Sequence, residues 1–84
     1  MALKEPILKI LAKTYEPGSL IDTKFGRYDL SFKTDEEGRP ILLFIGTRSE
    51  NGDIVGDRYS RRLKIEDGKI VKDHWELKGK ATAR

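Results

Sequence analysis

Residues 27–77 read RYDLSFKTDEEGRPILLFIGTRSENGDIVGDRYSRRLKIEDGKIVKDHWEL, and three glycine-containing turns divide this stretch at nearly even intervals. The turns are Glu37-Gly38, Asn51-Gly52 and Asp67-Gly68, and each lies between runs of residues that favour strands. Asn-Gly and Asp-Gly tolerate the positive φ angles that tight hairpin turns require. The stretch therefore predicts four antiparallel strands in chain order, each about ten residues long.

The four runs differ in the spacing of their apolar residues. Arg27–Thr34 alternates cleanly between apolar and polar residues, which indicates a strand buried on one face. Ile41–Thr47 begins with an unbroken apolar run, which suits a strand buried on both faces. Its second face then needs a cover from a second copy, from another segment or from curvature of the sheet. Ile54–Ile65 supplies the third strand, and we expect the fourth strand to stop near Lys78-Gly79.

Glycines, and an arginine on an apolar strand face, predict irregular pairing in the second and third strands. Gly46 is expected to mark either a bulge or a close approach of two backbones. Arg61 shares its strand face with apolar residues, so a bulge at Gly56 or Ser60 is expected to reset the facing.

The segment before these strands predicts a helix. Apolar side chains between Leu3 and Tyr15 fall on one broad face at about 100° per residue. Pro6 suits the first helical turn, and Pro17 disfavours helix at the residue before it. A strand over Ile7–Thr14 is the alternative and fits less well, because the apolar residues break period two.

The fold class that follows is α+β, mainly β: an N-terminal helix packed on a four- to five-stranded antiparallel meander. The fifth strand would come from Ser19–Thr23, before a turn or bulge at Phe25-Gly26. A small all-β barrel, with the N-terminus as an extra strand, is the alternative. We expect residues 1–84 to form one small domain, in which residues 79–84 are a flexible tail.

The composition and motifs of the chain argue against several classes of protein function. The chain has no cysteine and one histidine, so neither a disulfide framework nor a Cys/His metal site is expected. No run approaches the roughly 20 apolar residues of a membrane span, and the N-terminus does not resemble a signal peptide. We therefore expect a cytoplasmic protein without a membrane partner. The chain also lacks a glycine-rich phosphate loop and a nucleophile motif, so we expect no enzyme activity and no cofactor.

His74 and Trp75 are each the only residue of their kind in the chain. Trp75 is expected to anchor the core, as a lone tryptophan usually does in a small domain. His74 then faces outward, and Asp73 faces away from it because neighbouring residues of a strand point to opposite sides. A small enzyme would need a pocket that gathers His74 with acidic residues from other strands.

The full chain has a formal net charge of +3, and its excess of positive charge lies in the second half. Residues 58–64, RYSRRLK, interleave basic side chains with an aromatic one. Pairing across Asp67-Gly68 brings this run beside Lys72 and His74, which predicts a two-strand basic ribbon. Cations of such a ribbon neutralise phosphates, and Tyr59 is the predicted stacking platform for a base. The predicted binding residues, for nucleic acid or an acidic protein, are Arg58, Tyr59, Arg61, Arg62, Lys64, Lys72, His74, Lys78 and Lys80.

Two functional classes stay open at this point. The first is a binding module for nucleic acid. The second is a protein-interaction or homodimeric structural module, motivated by the apolar run Ile41–Ile45, in which the charges only solvate an outer sheet face. The positions of the charged side chains in the folded protein distinguish the two classes. One continuous exposed face with Arg58, Arg62, Lys64 and Lys72 favours the first class, and pairing of these cations with Asp29, Asp57, Asp73 and Glu76 counts against it.

Overall fold

The computed structural model describes residues 3–83, and the side chains of residues 3–80. A short helix precedes five strands, which pair antiparallel in the order in which they occur in the chain. The elements are α1 (Glu5–Leu11), β1 (Leu20–Phe25), β2 (Tyr28–Thr34), β3 (Pro40–Arg48), β4 (Ile54–Glu66) and β5 (Lys69–Ala83). The predicted fold class is confirmed. The barrel alternative is wrong, because β1 and β5 are the two edges of an open sheet.

The turn between β4 and β5 has the geometry that its sequence predicts. Asp67 and Gly68 have φ angles of 51° and 78°. Two successive positive φ angles are the signature of a type I′ turn, whose twist matches that of the flanking strands. This turn fixes which residues of β4 and β5 face each other.

Helix α1 is shorter than the apolar pattern predicts. It ends at Leu11, and the chain then turns so that Tyr15 reaches the core outside the helix. The Tyr15 N–H donates to the carbonyl of Gly38 at 2.7 Å, and its hydroxyl donates to the carbonyl of Ile10 at 2.7 Å. The rings of Tyr15 and Phe32 meet edge to face, with centroids 5.0 Å apart. Tyr15 therefore continues the apolar face of α1 without continuing its helix.

The core lies between α1 and one face of the sheet. Phe32 pairs with Leu43, and Leu43 pairs with Tyr59, so the three side chains share a face across β2, β3 and β4. Ile7 and Leu11, one helical turn apart, pack against this row. The buried cluster consists of Ile7, Leu11, Leu30, Phe32, Leu43 and Tyr59. Each such fully buried large side chain contributes about 1.5–3 kcal/mol.

Gly46 and Gly56 face each other across β3 and β4. A Cβ atom on Gly46 would overlap the carbonyl oxygen of Val55, and one on Gly56 would overlap that of Ile45. The pairing of β3 with β4 runs through this point without a shift. Gly46 therefore marks a close backbone approach, one of the two predicted possibilities. The bulge predicted at Gly56 or Ser60 does not occur in the pairing of β3 with β4. Register shifts are found instead between β4 and β5.

Strand β5 does not stop near Lys78-Gly79 as predicted. Its backbone continues to Ala83 and pairs with Ile54–Asp57 of β4. The register shifts by one residue at Lys78, and Gly79 has a φ angle of 106°. Glycine here accommodates a bulge and does not end the strand. Arg84, the last residue of the predicted tail, lies outside the described residues.

The hairpin of β4 and β5 extends beyond the other strands. β3 pairs with β4 only as far as Ser60, so Arg61–Glu66 pair with β5 alone. The molecule is accordingly elongated, with principal extents of 46 × 26 × 20 Å. We call residues 61–75 the distal ribbon.

Candidate nucleic-acid interface

The face of the sheet opposite α1 carries most of the predicted binding residues, and we call it the open face. Within residues 3–83, no helix or strand packs over it. Directly paired residues lie on the same face, and successive residues alternate. The pairs Arg62–His74 and Lys64–Lys72 therefore lie on the open face, with Arg58 further along the same side of β4. The predicted alignment of the two strands is confirmed.

Arg58, Arg62 and Lys72 are exposed cations with no ion pair among the described residues. Lys64 is paired with Glu66, with 3.3 Å between Nζ and Oε1, but the two side chains are 64% and 57% exposed. Such an exposed pair contributes little, because water screens both charges. All four side chains therefore present positive charge to solvent. We call Arg58, Arg62, Lys64 and Lys72 the open-face cations.

Glu76 brings negative charge to the open face of β5. Lys78 Nζ donates to its Oε2 at 2.9 Å, and His74 Nε2 lies 3.2 Å from its Oε1. The hydrogen bond from Lys78, and then that from His74, hold the pKa of Glu76 below its ordinary value. One carboxylate thus partly neutralises the predicted binding residue Lys78 and also contacts His74.

Other acids bind cations away from the distal ribbon. Asp29 lies 3.8 Å from Lys24 Nζ and accepts a hydrogen bond from the Arg48 N–H at 2.9 Å. Arg48 Nη2 in turn lies 3.6 Å from Asp22. These pairs gather on the β1–β3 side of the sheet. Lys33 of β2 is an exposed open-face cation without an ion pair among the described residues, but most of the unpaired positive charge of this face lies on the β4–β5 side.

Tyr59 lies in the core, and this position corrects its predicted role as a stacking platform. It is 3% exposed and belongs to the cluster under α1. Burial, with a smaller effect of the nearby Asp57 carboxylate, raises the pKa of its hydroxyl. Its ring therefore packs against apolar side chains and presents no face to a base.

Arg61 also lies on the helix side of the sheet, where its side chain is only 8% exposed. Its Nε and Nη2 donate to Asp73 Oδ1 and Oδ2 at 2.7 and 2.6 Å. Its Nη1 donates to the carbonyls of Leu11 at 3.3 Å and Pro40 at 3.1 Å. The guanidinium carbon lies 5.8 Å from the centre of the Trp75 ring. The predicted binding role of Arg61 is therefore corrected to a structural one.

Lys80 is the third predicted binding residue that lies away from the open face. It pairs with Asp57 and lines a small groove of about 180 Å³ beside α1, together with Lys4 and Ile7. Its charge therefore does not add to that of the open-face cations.

Phe44 is a feature of the open face that the sequence analysis missed. It lies on the central strand β3, half-buried, and pairs with Ser31 on one side and Arg58 on the other. Leu42, two residues before it, pairs with Lys33. The open face of this strand is therefore half-buried, and not fully buried as expected. A continuous apolar run conceals such a residue, because periodicity does not reveal which face is covered.

A larger groove of about 450 Å³ separates α1 from β5 on the helix side. Its lining is mainly apolar and includes Leu8, Leu11, Trp75 and Leu77. Trp75 packs against the core cluster from this groove and is only partly buried. The charged groups in the lining, Arg61 and Asp73, form an ion pair with each other. The groove therefore offers mainly apolar contact.

In the part of the chain that the structure describes, no three His, Cys, Asp or Glu side chains come together as a metal site. Among the same residues, no helix has the length and apolar character needed to span a bilayer.

Comparisons with protein-family models, with curated proteins and with solved structures each return no match. The function is therefore argued from the geometry of the open face.

Proposed function

We propose that the protein is a nucleic-acid-binding module that uses the open face of its sheet. The observation that carries the proposal is the position of Arg58, Arg62, Lys64 and Lys72 on one exposed face, three of them without an ion-pair partner among the described residues. Arginine and lysine side chains grouped in this way neutralise the phosphates of a nucleic-acid backbone and release its counterions.

Phe44 supports single-stranded nucleic acid over a duplex as the ligand. Its ring lies on the open face beside Arg58, at the centre of the sheet and not at an edge. Unpaired bases stack on aromatic side chains, whereas the bases of a duplex are already stacked. A strand laid across the sheet would place a base on Phe44 and phosphates along Arg58 and Arg62.

The proposal is tested by fluorescence anisotropy with a labelled oligo-dT and a labelled DNA duplex, each titrated at several salt concentrations. Four phosphate contacts predict a slope of about −3 for the logarithm of the binding constant against that of the salt concentration. The double variant Arg58→Glu/Arg62→Glu is expected to lose most of the binding, because it reverses two exposed cations of the open face.

The matched control is Lys9→Glu/Lys13→Glu, which changes the net charge equally but lies on the solvent side of the N-terminal segment. It should bind almost as tightly as wild type. Equal losses in both double variants would mean that net charge alone attracts the oligonucleotide. Failure of the wild type to bind either probe at about 50 mM salt would overturn the proposal. Binding to polyglutamate instead would identify an acidic protein as the partner class.

A further inference from the structure

Strand β5 is the longest strand of the sheet and lies at its edge, bonded to β4 on one side only. Its register with β4 shifts twice, once at Val71 and once at Lys78. Between these two bulges lies a regular run, Lys72–Leu77, whose outward backbone groups have no strand beside them within residues 3–83. Val71, the bulge residue just before this run, and Leu77, its last residue, are 53% and 45% exposed.

We propose that two copies of the chain pair through the β5 edge, antiparallel and centred on His74. A two-fold axis perpendicular to the sheet then joins the two five-stranded sheets into one of ten strands. The bulges at Val71 and Lys78 bound the contact to Val71–Leu77, because an extra residue interrupts the ladder of backbone hydrogen bonds. The contact is made by the edge of the sheet and shares one residue, Lys72, with the proposed nucleic-acid-binding surface.

The side chains of β5 complement themselves in this register. Lys72 faces Glu76 of the second copy, and the symmetry repeats that pair, so two ion pairs form on the open face. Val71 faces Leu77 of the second copy on the helix side, also twice. The pairing covers two of the exposed apolar side chains of the monomer and gives each Lys72 a carboxylate, which it lacks in the single chain. Opposite charges and apolar residues directly across an antiparallel pair stabilise it.

Neighbouring two-fold registers are less favourable. A shift of the centre to Asp73 sets that carboxylate opposite its own copy. A shift to Trp75 sets Lys72 opposite Lys78 of the second copy, and symmetry repeats this repulsion. Like charges directly opposite destabilise a strand pair. The order of charges along β5 therefore selects the register centred on His74.

A charge-swap series measured by sedimentation equilibrium, in the absence of nucleic acid, tests the proposal. Wild type is expected to approach twice the chain mass of 9.6 kDa as its concentration rises. Lys72→Glu and Glu76→Lys each replace two attractive pairs with two repulsive ones, and each should weaken dimerisation by about tenfold or more. The double variant Lys72→Glu/Glu76→Lys restores opposite charges and should recover the dimer.

Lys33→Glu, an exposed lysine on β2, is the matched control for Lys72→Glu and should leave the association unchanged. Far-UV circular dichroism verifies that each variant is folded. Net charge cannot explain weaker association in both single variants, because Lys72→Glu lowers it by two and Glu76→Lys raises it by two. Recovery in the double variant then identifies the pairing of opposite charges across the two copies as the cause. A wild type that stays monomeric at millimolar concentration, or a dimer that is equally tight in all four β5 forms, would overturn the proposal.

Discussion

Arg61 pairs through its backbone with Trp75, yet its guanidinium reaches diagonally to Asp73, which it binds with two nearly parallel hydrogen bonds of 2.7 and 2.6 Å. The remaining nitrogen of the guanidinium donates to the carbonyls of Leu11 and Pro40. One side chain therefore connects the end of α1, the start of β3 and both strands of the distal ribbon. Arg61, whose basic neighbours in the sequence are typical of a binding residue, therefore has a structural role.

Replacement of Arg61 by Met is expected to lower the free energy of unfolding by about 2 kcal/mol. The change removes the charge-assisted hydrogen bonds to Asp73 and the hydrogen bonds that Arg61 donates to the carbonyls of Leu11 and Pro40. Arg62→Met is the control, since the neighbouring arginine is exposed on the open face and should cost less than about 0.5 kcal/mol. Urea denaturation followed by Trp75 fluorescence measures both. Equal stabilities would show that the Arg61 bonds contribute nothing net.

Lowering the pH should reduce the contribution of Asp73 to the stability of the fold. Hydrogen bonds from Arg61 hold the pKa of Asp73 below its ordinary value. A carboxyl group whose folded-state pKa is lowered adds stability above its unfolded pKa of about 3.9, and that stability is lost as the pH falls through the folded value. The stability difference between wild type and Asp73→Asn should therefore be largest near neutral pH and shrink below about pH 4.

The double variant Arg61→Met/Asp73→Asn provides the control for this pH dependence. Against Arg61→Met alone, the Asp73→Asn change should show little dependence on pH, because the cation that lowers the pKa is gone. A wild-type advantage over Asp73→Asn that stays constant from pH 7 to the acid range would contradict the assignment.

Gly46→Ala is expected to destabilise the fold by about 2–3 kcal/mol, because the added methyl group overlaps the backbone of β4 at Val55. The facing Gly56→Ala should behave alike, since its methyl group overlaps the Ile45 carbonyl. Gly26→Asn is the control: its φ of 60° suits asparagine, and a Cβ there meets nothing within 4 Å. Thermal unfolding compares the three. A stable Gly46→Ala protein would mean that β3 and β4 can separate at little cost.

Phe44→Ala is expected to weaken the binding of oligo-dT by about 1–3 kcal/mol, the contribution of one base stacked on an aromatic ring. Duplex binding should change much less, because it depends on the cations. Phe44→Leu separates stacking from packing: it keeps an apolar side chain but lacks the ring, so it should bind oligo-dT as poorly as Phe44→Ala. Phe44→Trp should retain binding. Full oligo-dT affinity in Phe44→Leu would exclude stacking at this position.

The pattern of turns and alternation was sufficient to predict the sheet. Asp67-Gly68 identified the last hairpin and placed Arg62 near Asp73 and His74; the partner is His74 because the register shifts by one residue at Val71. The end of β5 was mispredicted, because a glycine in a bulge and a glycine after a strand look alike in sequence. The site was predicted only in part. Tyr59 and Arg61 share the strand with Arg58 and Arg62, and which face α1 would cover depends on packing, which the local pattern does not specify.

The connection of every strand to its neighbour in the chain has a consequence for folding. Each hairpin closes between residues close in sequence, and such contacts form quickly. The contact of Leu11 with Arg61, by contrast, joins residues 50 positions apart. We therefore expect the hairpins to assemble before α1 docks, so that loss of the Arg61 contact speeds unfolding and leaves the folding rate nearly unchanged. The helix that comes first in the chain would be the last element to take its place.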